Sequence, residues 1–250
     1  MNTGSESKAL KHAMNVLECF TAERPELGVT ELARLTGLQK SSVHTILNTF
    51  ANMGYIEQKP DTLKYCLGYK LMHFSYIINS HTGLRDHFLP YLNKIADATR
   101  EVCYLGMLND LEVLYLEAAY PAAQLRSRNI SGERAPLHCT GLGKAMLAFL
   151  TEDEKQKVLS SPLEKFTDYT VTNPEMLRCE LDEIRSNGYA VDNMEHEFGV
   201  RCVAVPVFGN GGSVIAAVSV SGPSLRFSQQ KQLEHAQLIK QTLLPLQYCF

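Results

Sequence analysis

Small polar side chains and a single cation share one face of the segment between Gly37 and Gly54. At helical spacing, the apolar residues of this segment fall together and leave a polar face opposite them. The polar face consists of Lys40, Ser41, Ser42, His44, Thr45 and Asn48, and the segment contains no acidic residue. Lysine and hydroxyl groups bind phosphate oxygens, and hydroxyl, imidazole and amide groups contact base edges in the DNA major groove. A solvated face of a surface helix is the alternative.

Two further lysines follow this segment. Lys59 begins the turn sequence Lys-Pro-Asp-Thr and Lys64 follows it, between two short stretches that predict a β-hairpin. From residue 32 to residue 70 there are five Lys or Arg residues and two acidic ones, a local charge of +3 in a chain of net charge -3. We therefore interpret both lysines as candidates for contact with the DNA backbone or minor groove.

Hydroxyl groups also alternate along an apolar stretch near the C-terminus. Ser219 and Ser221 alternate with valines, so in a strand both hydroxyls point to one face of the sheet. Upstream, glycines at positions 141 and 143 open a helical pattern, and backbone N–H groups at a helix start favour an anion. These features fit a small polar ligand, whereas a solvated sheet face is the alternative for the serines alone.

The chain has seven widely spaced cysteines, for which several roles are possible. An odd number of thiols without a CxxC is typical of reduced core residues. Alternatives are a nucleophilic pair, Cys139 with His138 or Cys202 with His196, and a zinc site that adds Asp192 to these four residues. No catalytic motif frames either pair, and positions 138 and 145 lack the glycine and the hydroxyl of a phosphate-binding loop. The sequence therefore favours a protein that is not an enzyme, without metal or cofactor.

The composition is that of a globular protein in water. The chain has 250 residues, of which 45% are hydrophobic and 20% charged, and its mean hydropathy is -0.13. The apolar runs are far shorter than the ~20 residues of a membrane-spanning helix, and no secretory signal is visible at the start. We expect a cytoplasmic protein of one or two domains with no membrane partner.

Three helical patterns and a hairpin fill the first part of the chain. The predicted helices cover residues 9–20, 31–36 and 40–53, and the predicted strands cover residues 55–58 and 63–67. Thr30 is the expected cap of the second helix, and Gly37 suits the tight turn that follows it. This order describes a winged helix-turn-helix whose third helix presents the polar face. A protein-interaction module of the same shape is the alternative.

The rest of the chain alternates between strands and helices. The predicted helices are 68–80, 83–99, 140–150, 152–159, 174–187 and 228–247, and the predicted strands are 101–108, 112–118, 125–130, 189–192, 200–208 and 213–221. This pattern predicts an α+β domain in which helices cover an antiparallel sheet. The expected domains are residues 7–67 and 83–250, with a linker helix at 68–82.

Several motifs in fixed order resemble the IclR family of bacterial transcription regulators. In the first part the resemblance lies in VTELARLTGLQKSSVH at residues 29–44, in GYI at 54–56 and in YCLG at 65–68. In the second part it lies in PLHCTGLGKAMLA at 136–148, GYAVD at 188–192, GVRCVAVPV at 199–207 and AAVSVSGP at 216–223. It extends from about residue 7 to the C-terminus.

The resemblance implies an effector-responsive regulator. A winged helix-turn-helix binds double-stranded operator DNA, and a GAF-like α+β domain binds a small organic acid or aromatic metabolite, for which we expect a carboxylate. Members of the family assemble as homodimers or dimers of dimers, and both repressors and activators occur. By motif, the effector contacts of the family fall on Gly141, Leu142, Asp192, Cys202, Ser219 and Ser221.

Two positions depart from the family pattern. Members commonly carry arginine after the histidine of the recognition helix and in the wing, where this chain has Thr45 and Cys66. Arginine is the strongest reader of guanine edges. The resemblance therefore implies an operator preference that differs from that of other members.

Overall fold

Two structural units make up the part of the chain that the structure, a computed structural model, describes, namely residues 7–81, 83–122 and 130–250. The first unit ends at His81, and the second holds the described residues after it. Among these residues no helix is long and apolar enough to cross a membrane.

The first unit has the predicted order of three helices, a hairpin and a final helix. Its elements are α1 (Lys8–Glu18), α2 (Val29–Thr36), α3 (Lys40–Met53), β1 (Ile56–Gln58), β2 (Tyr65–Leu67) and α4 (Leu71–His81). The two strands are antiparallel. Gly37 and Gly54 have φ of 70° and 80°, the left-handed conformation that the sharp turns after α2 and α3 require. The prediction of a winged helix-turn-helix is confirmed.

The helix α2 begins earlier than predicted. It starts at Val29 with Gly28 as its N-cap, so Thr30 lies inside the first turn and the expected threonine cap is wrong. The Glu31 carboxylate instead accepts a hydrogen bond of 2.8 Å from the Gly28 N–H. This bond satisfies a donor that the helix itself leaves without a partner.

A small apolar core fixes the orientation of α3. Val43 and Leu47 on this helix are fully buried. The remaining members of the core come from the other helices and the hairpin: Val16, Phe20, Leu27, Leu32, Ile56 and Tyr65. Because one face of α3 is used in this way, the opposite face is exposed to solvent.

The second unit is an antiparallel sheet with helices on both faces. In the described residues its strands are β3 (Val102–Asn109), β4 (Glu112–Ala119), β5 (Arg134–Pro136), β6 (Ala190–Asn193), β7 (Val200–Phe208) and β8 (Val214–Pro223). The sheet order is β5-β4-β3-β8-β7-β6. The helices are α5 (Gly83–Thr99), α6 (Gly141–Leu147), α7 (Glu152–Leu159), α8 (Pro174–Asn187) and α9 (Gln229–Leu243). The α+β prediction with an antiparallel sheet is confirmed.

Different helices cover the two faces of this sheet. Phe88 of α5 and Ile239 of α9 pack with Val218 and Val220 on one face. Leu142 and Met146 of α6 pack with Leu181 of α8 and Ala217 on the other. Because side chains alternate along β8, the residues at 217, 219 and 221 all point towards the α6 side.

Several boundaries in the second unit differ from the prediction. The helix α6 ends at Leu147, before Thr151, whose side chain caps α7. The helix α9 ends at Leu243 and a 3-10 turn, Leu244–Leu246, follows, because Pro245 lacks the N–H that an α-helix needs. The strand β5 was not predicted, since three residues show no alternation. The strand predicted at 125–130 lies outside the described residues, apart from Ile130.

Replacing Gly143 with alanine should destabilise the second unit. The added Cβ would lie 2.5 Å from the Leu137 Cα and 2.6 Å from the Leu137 carbonyl oxygen, so backbone atoms have to move. Overpacking of this kind costs about 1–3 kcal/mol and lowers Tm by about 2–4 °C per kcal/mol. Thermal unfolding followed by circular dichroism measures the change. The control is Gly211→Ala, where a Cβ would meet nothing within 4 Å; equal Tm values for the two variants would contradict the steric argument.

Candidate functional site

The polar face of α3 is open to solvent. All six predicted residues, Lys40, Ser41, Ser42, His44, Thr45 and Asn48, are exposed. Two of them are ordered by bonds within the helix. The Thr45 hydroxyl donates to the Ser41 carbonyl at 3.0 Å, and the Asn48 amide nitrogen lies 3.2 Å from the His44 Nδ1. The face therefore presents groups of defined orientation next to a cation at the first residue of the helix.

The two predicted hairpin lysines lie at either side of the turn and are half-buried. The Lys59 N–H donates to the Lys64 carbonyl at 2.8 Å, which closes the turn. The Lys64 Nζ lies 3.3 Å from a Glu31 carboxylate oxygen. That pair is close to half exposed on both sides, and exposed pairs contribute little to stability, so Lys64 can exchange its carboxylate for a phosphate.

A polar cavity of about 250 Å³ lies between the start of α6 and the sheet. All six residues predicted for the ligand line it: Gly141, Leu142, Asp192, Cys202, Ser219 and Ser221. They come from one helix and three strands and are separated by up to 80 positions in the chain. The structure brings the whole predicted set together at this polar cavity.

Strand register explains part of this convergence. Asp192 pairs with Cys202 across β6 and β7, and Cys202 pairs with Ser221 across β7 and β8. The Cys202 thiol donates to the Ser221 hydroxyl at 3.0 Å. Gly141 lies directly against Cys202. A Cβ at position 141 would lie 3.2 Å from the Cys202 Cβ, so a larger residue would push the helix away from the strand. The helix can thus approach the strands closely.

Three tyrosines also line the polar cavity, and sequence reasoning missed them. They are Tyr104, Tyr115 and Tyr120. The rings of Tyr104 and Tyr115 meet edge to face with centroids 5.7 Å apart, and burial raises the pKa of Tyr115 well above its ordinary value. Tyr104 pairs with Ser219 across β3 and β8. No local signal shows this pairing, because the two positions are distant in the chain.

Asp192 is 4% exposed, and its carboxylate binds the backbone of the turn that follows it. Its Oδ1 accepts a hydrogen bond of 2.8 Å from the Glu195 N–H. Burial raises the pKa of Asp192 to about 6, against the lowering effect of that hydrogen bond and of the Lys144 charge. The side chain therefore orients the loop after β6.

Two family models match the chain and together cover both units. The IclR helix-turn-helix domain matches residues 9–60, and the model described as bacterial transcriptional regulator IclR C-terminal matches residues 77–246. The chain belongs to the IclR family of bacterial transcriptional regulators. It is a DNA-binding regulator with a C-terminal ligand-binding domain, and not an enzyme.

Individual IclR-family proteins are similar over nearly the whole chain. The regulator XynR of Escherichia coli (strain K12) is 32% identical over 240 residues, which is 96% of this chain and 95% of the relative. An IclR-type regulator from Silicibacter sp. TM1040 is 26% identical with a TM-score of 0.85, over 95% of this chain and 94% of that one. An IclR homolog from Microbacterium hydrocarbonoxydans, complexed with 4-hydroxybenzoate, is 27% identical with a TM-score of 0.77, over 95% and 100% of the two chains.

Cys139 and Cys202, the two cysteines considered as nucleophiles, are not arranged for that role in this IclR-family chain. Burial raises the pKa of Cys139 to about 12 and that of Cys202 well above its ordinary value, whereas a reactive thiol needs a lowered pKa. The His138 imidazole donates from Nε2 to the Glu164 carbonyl at 2.9 Å. Within the described parts of the chain, no three His, Cys, Asp or Glu side chains gather as metal ligands would.

Lys144, in the Gly-Leu-Gly-Lys motif of α6, has a structural role that sequence reasoning did not assign. Its side chain is fully buried, and its Nζ donates to carboxylates of Glu180 on α8 and, at 2.6 Å, of Glu195. Because the Glu195 N–H also binds Asp192, this Lys144 network links α6, α8 and the loop beside the polar cavity. A lysine in a helix is ordinarily solvated, so no sequence signal identifies it.

The Lys144 network holds two carboxyl groups for one ammonium group. Glu180 has 29% of its side chain exposed, but Glu195 only 5%. Burial raises the pKa of Glu195 to about 7, although the Lys144 charge opposes this. In the described residues the Glu195 Oε2 is buried without a hydrogen-bond partner, which fits a carboxyl group that readily takes up a proton.

Glu195→Gln should flatten the pH dependence of the free energy of unfolding. A folded pKa of about 7, above the ordinary value of 4.5, stabilises the fold at pH below 4.5, and this contribution is lost as the pH rises through 7. A difference of one in pKa corresponds to about 1.4 kcal/mol. Chemical denaturation across this pH window measures the slope for each variant.

The matched control is Glu183→Gln on the exposed side of α8. This change also removes one carboxylate, but not from the Lys144 network. It should leave the slope unchanged. Wild-type pH dependence in Glu195→Gln would show that the buried carboxyl group does not titrate in this range.

Proposed function

We propose that this IclR-family regulator binds operator DNA through the polar face of α3 and the hairpin lysines, under control of a small carboxylic acid in the polar cavity. It acts in the cytoplasm as a homodimer or a dimer of dimers, so that two α3 helices engage two half-sites. The convergence of six residues of different elements on one polar cavity is the observation that carries the proposal for the effector.

Charge and exposure support contact between α3 and DNA. Lys40 is exposed at the first residue of the helix, where the N–H groups of the first turn also attract a phosphate. Ser41 and Ser42 add exposed hydroxyl donors beside it. Lys59 and Lys64 in the hairpin add two cations within the same unit. Phosphate contacts of this kind fix the position of a helix in the groove, while the rest of the face contacts bases.

Lys40→Glu should weaken binding to duplex DNA of every sequence. Loss of one phosphate contact lowers the slope of log affinity against log salt by about 1 for each protomer. Fluorescence anisotropy with a labelled duplex at several salt concentrations measures both quantities. Lys94→Glu, the same charge change at an exposed residue of α5 in the other unit, is the control and should bind as wild type does. Full affinity of Lys40→Glu would refute the placement of α3 on the DNA.

Hydroxyl groups make the polar cavity suitable for a small acid. Ser219 and Ser221 line it, whereas the Thr140 hydroxyl donates to the Pro136 carbonyl and caps α6. The N–H groups of Gly141 and Leu142 belong to the first turn of α6, which leaves such donors without a partner inside the helix. Arg134 lines it too, but Glu112, Asp110 and the Asn109 side-chain oxygen hold its guanidinium together, whereas Lys64 has a single carboxylate partner. We therefore assign the anion to the serine hydroxyl and N–H donors.

The aromatic lining supports an effector with a ring. The Microbacterium homolog is complexed with 4-hydroxybenzoate, which joins a carboxylate to a phenol. A ring of this kind can pack on Tyr104 and Tyr115, since aromatic pairs gain energy beyond their buried area. The polar cavity, at about 250 Å³, is smaller than sites that take drug-sized ligands. Asp192, which would repel a carboxylate beside it, is assigned to accept a hydrogen bond from the phenol hydroxyl of such a ligand.

The double change Ser219→Ala and Ser221→Ala should weaken binding of a carboxylic acid at least ten-fold. Hydrogen bonds to a charged group contribute about 1.5–3 kcal/mol, and 1.4 kcal/mol is a factor of ten. Calorimetric titration with 4-hydroxybenzoate, and with short aliphatic hydroxy acids, measures the loss. Ser186→Ala, at an exposed residue of α8, is the control. Unchanged affinity of the double variant for an acid that wild type binds would contradict the assignment of the serines.

The division of the chain into residues 7–67, a linker helix at 68–82 and residues 83–250 is part of the proposal. An effector shifts operator binding only if it binds two conformations with different affinity. We assign the transmission of that shift to α4, which follows the hairpin directly in the chain. The two family matches, 9–60 and 77–246, leave residues 61–76 between them, which include β2 and the first part of α4.

A further inference from the structure

The second turn of α3 lacks a side chain that reads guanine. The only Lys or Arg in α3 is Lys40, at its first residue, and bidentate contacts to guanine come from arginine or lysine. The middle of the polar face consists of His44, Thr45 and Asn48. Their hydrogen bonds within the helix limit what each can still offer to a base.

We propose that Thr45 reads a thymine through its methyl group and that Asn48 reads an adenine, so that each operator half-site carries A·T pairs opposite the second turn of α3. The inference rests on the proposed function, because it requires α3 to lie in the major groove. Thr45 and Asn48 are three residues apart and share one side of the helix, so they reach neighbouring base pairs.

The hydroxyl of Thr45 is already in use. It donates to the Ser41 carbonyl at 3.0 Å, and the residue is exposed. The hydroxyl therefore has no hydrogen left to donate to a base, although its oxygen can still accept, and the exposed methyl group is free for an apolar contact. Thymine is the base that presents a methyl group in the major groove, and apolar contact with it is a recognised mode of threonine.

The amide of Asn48 is held in one orientation by His44. Its Nδ2 donates to the His44 Nδ1 at 3.2 Å, so the amide keeps one N–H and its carbonyl oxygen for other partners. Adenine presents one acceptor, N7, next to one donor, the N6 amino group. The remaining donor and acceptor of Asn48 match this pair. His44 is therefore a positioning residue for Asn48.

The test begins with duplexes that the full-length protein selects from a random pool. We expect an A·T pair at the centre of each enriched half-site. Each half-site thymine is then replaced singly by deoxyuridine, which differs from it only by the missing methyl group. At one position this replacement should weaken wild-type binding about four-fold (~0.8 kcal/mol), the value for one buried carbon group.

Two variants separate the methyl group from the hydroxyl. Thr45→Val keeps a methyl group and loses the hydroxyl, so it should retain the four-fold preference for thymine. Thr45→Ser keeps the hydroxyl and loses the methyl group, so it should bind the thymine and deoxyuridine duplexes equally. Asn48→Ala should lose the preference for adenine over guanine at the adjacent pair, a change of at least five-fold. Circular dichroism confirms the helical content of each variant.

Two outcomes would overturn the inference: equal wild-type affinity for every thymine and deoxyuridine duplex, or an undiminished thymine preference in Thr45→Ser. Lys40→Glu distinguishes this failure from failure of the proposed function. If Lys40→Glu weakens binding but deoxyuridine has no effect, α3 contacts DNA and only the base assignment is wrong. If the wild type enriches no duplex, the proposed operator binding itself fails.

Discussion

Close approach of α6 to the sheet is the constraint on which the ligand-binding unit depends. Gly141 and Gly143 remove the side chains that would otherwise separate the helix from Cys202 and from the backbone at Leu137. At this distance from the sheet, every residue of α6 is buried. Burial in turn makes the charge of Lys144 costly unless carboxylates pair with it. The polar cavity and the buried charge network are thus two consequences of one packing arrangement.

The Lys144 network shows how that cost is met. A single ammonium group contacts Glu180 on α8 and Glu195 beside β6, so three elements are held around one charge. The Glu195 N–H donates a hydrogen bond to the Asp192 carboxylate. The position of Glu195 therefore also fixes the Asp192 side chain. Asp192 therefore serves the polar cavity by fixing the loop after β6, and burial raises the pKa of its carboxyl group.

The DNA-binding unit solves the opposite problem, because it must expose polar groups in a fixed orientation. Val43 and Leu47 anchor α3 in the core, and the positive φ of Gly37 and Gly54 lets the chain turn sharply at both ends. The exposed face then carries few charges. Internal hydrogen bonds from Thr45 and Asn48 restrict which groups remain available, and small oriented side chains take the place of long cationic ones.

The sequence by itself determined the winged helix-turn-helix, most helices and strands of the second unit and the facing of Ser219 and Ser221, because periodicity and glycine conformation act over a few residues. Its motifs also named six of the residues that line the polar cavity. Only the tertiary structure decided how they meet: the register Asp192, Cys202, Ser221 depends on which strands pair. The sequence did not predict the roles of the three cavity tyrosines and of Lys144, for the same reason. Their partners lie far away in the chain, and strand order and packing, which no local pattern encodes, bring them together.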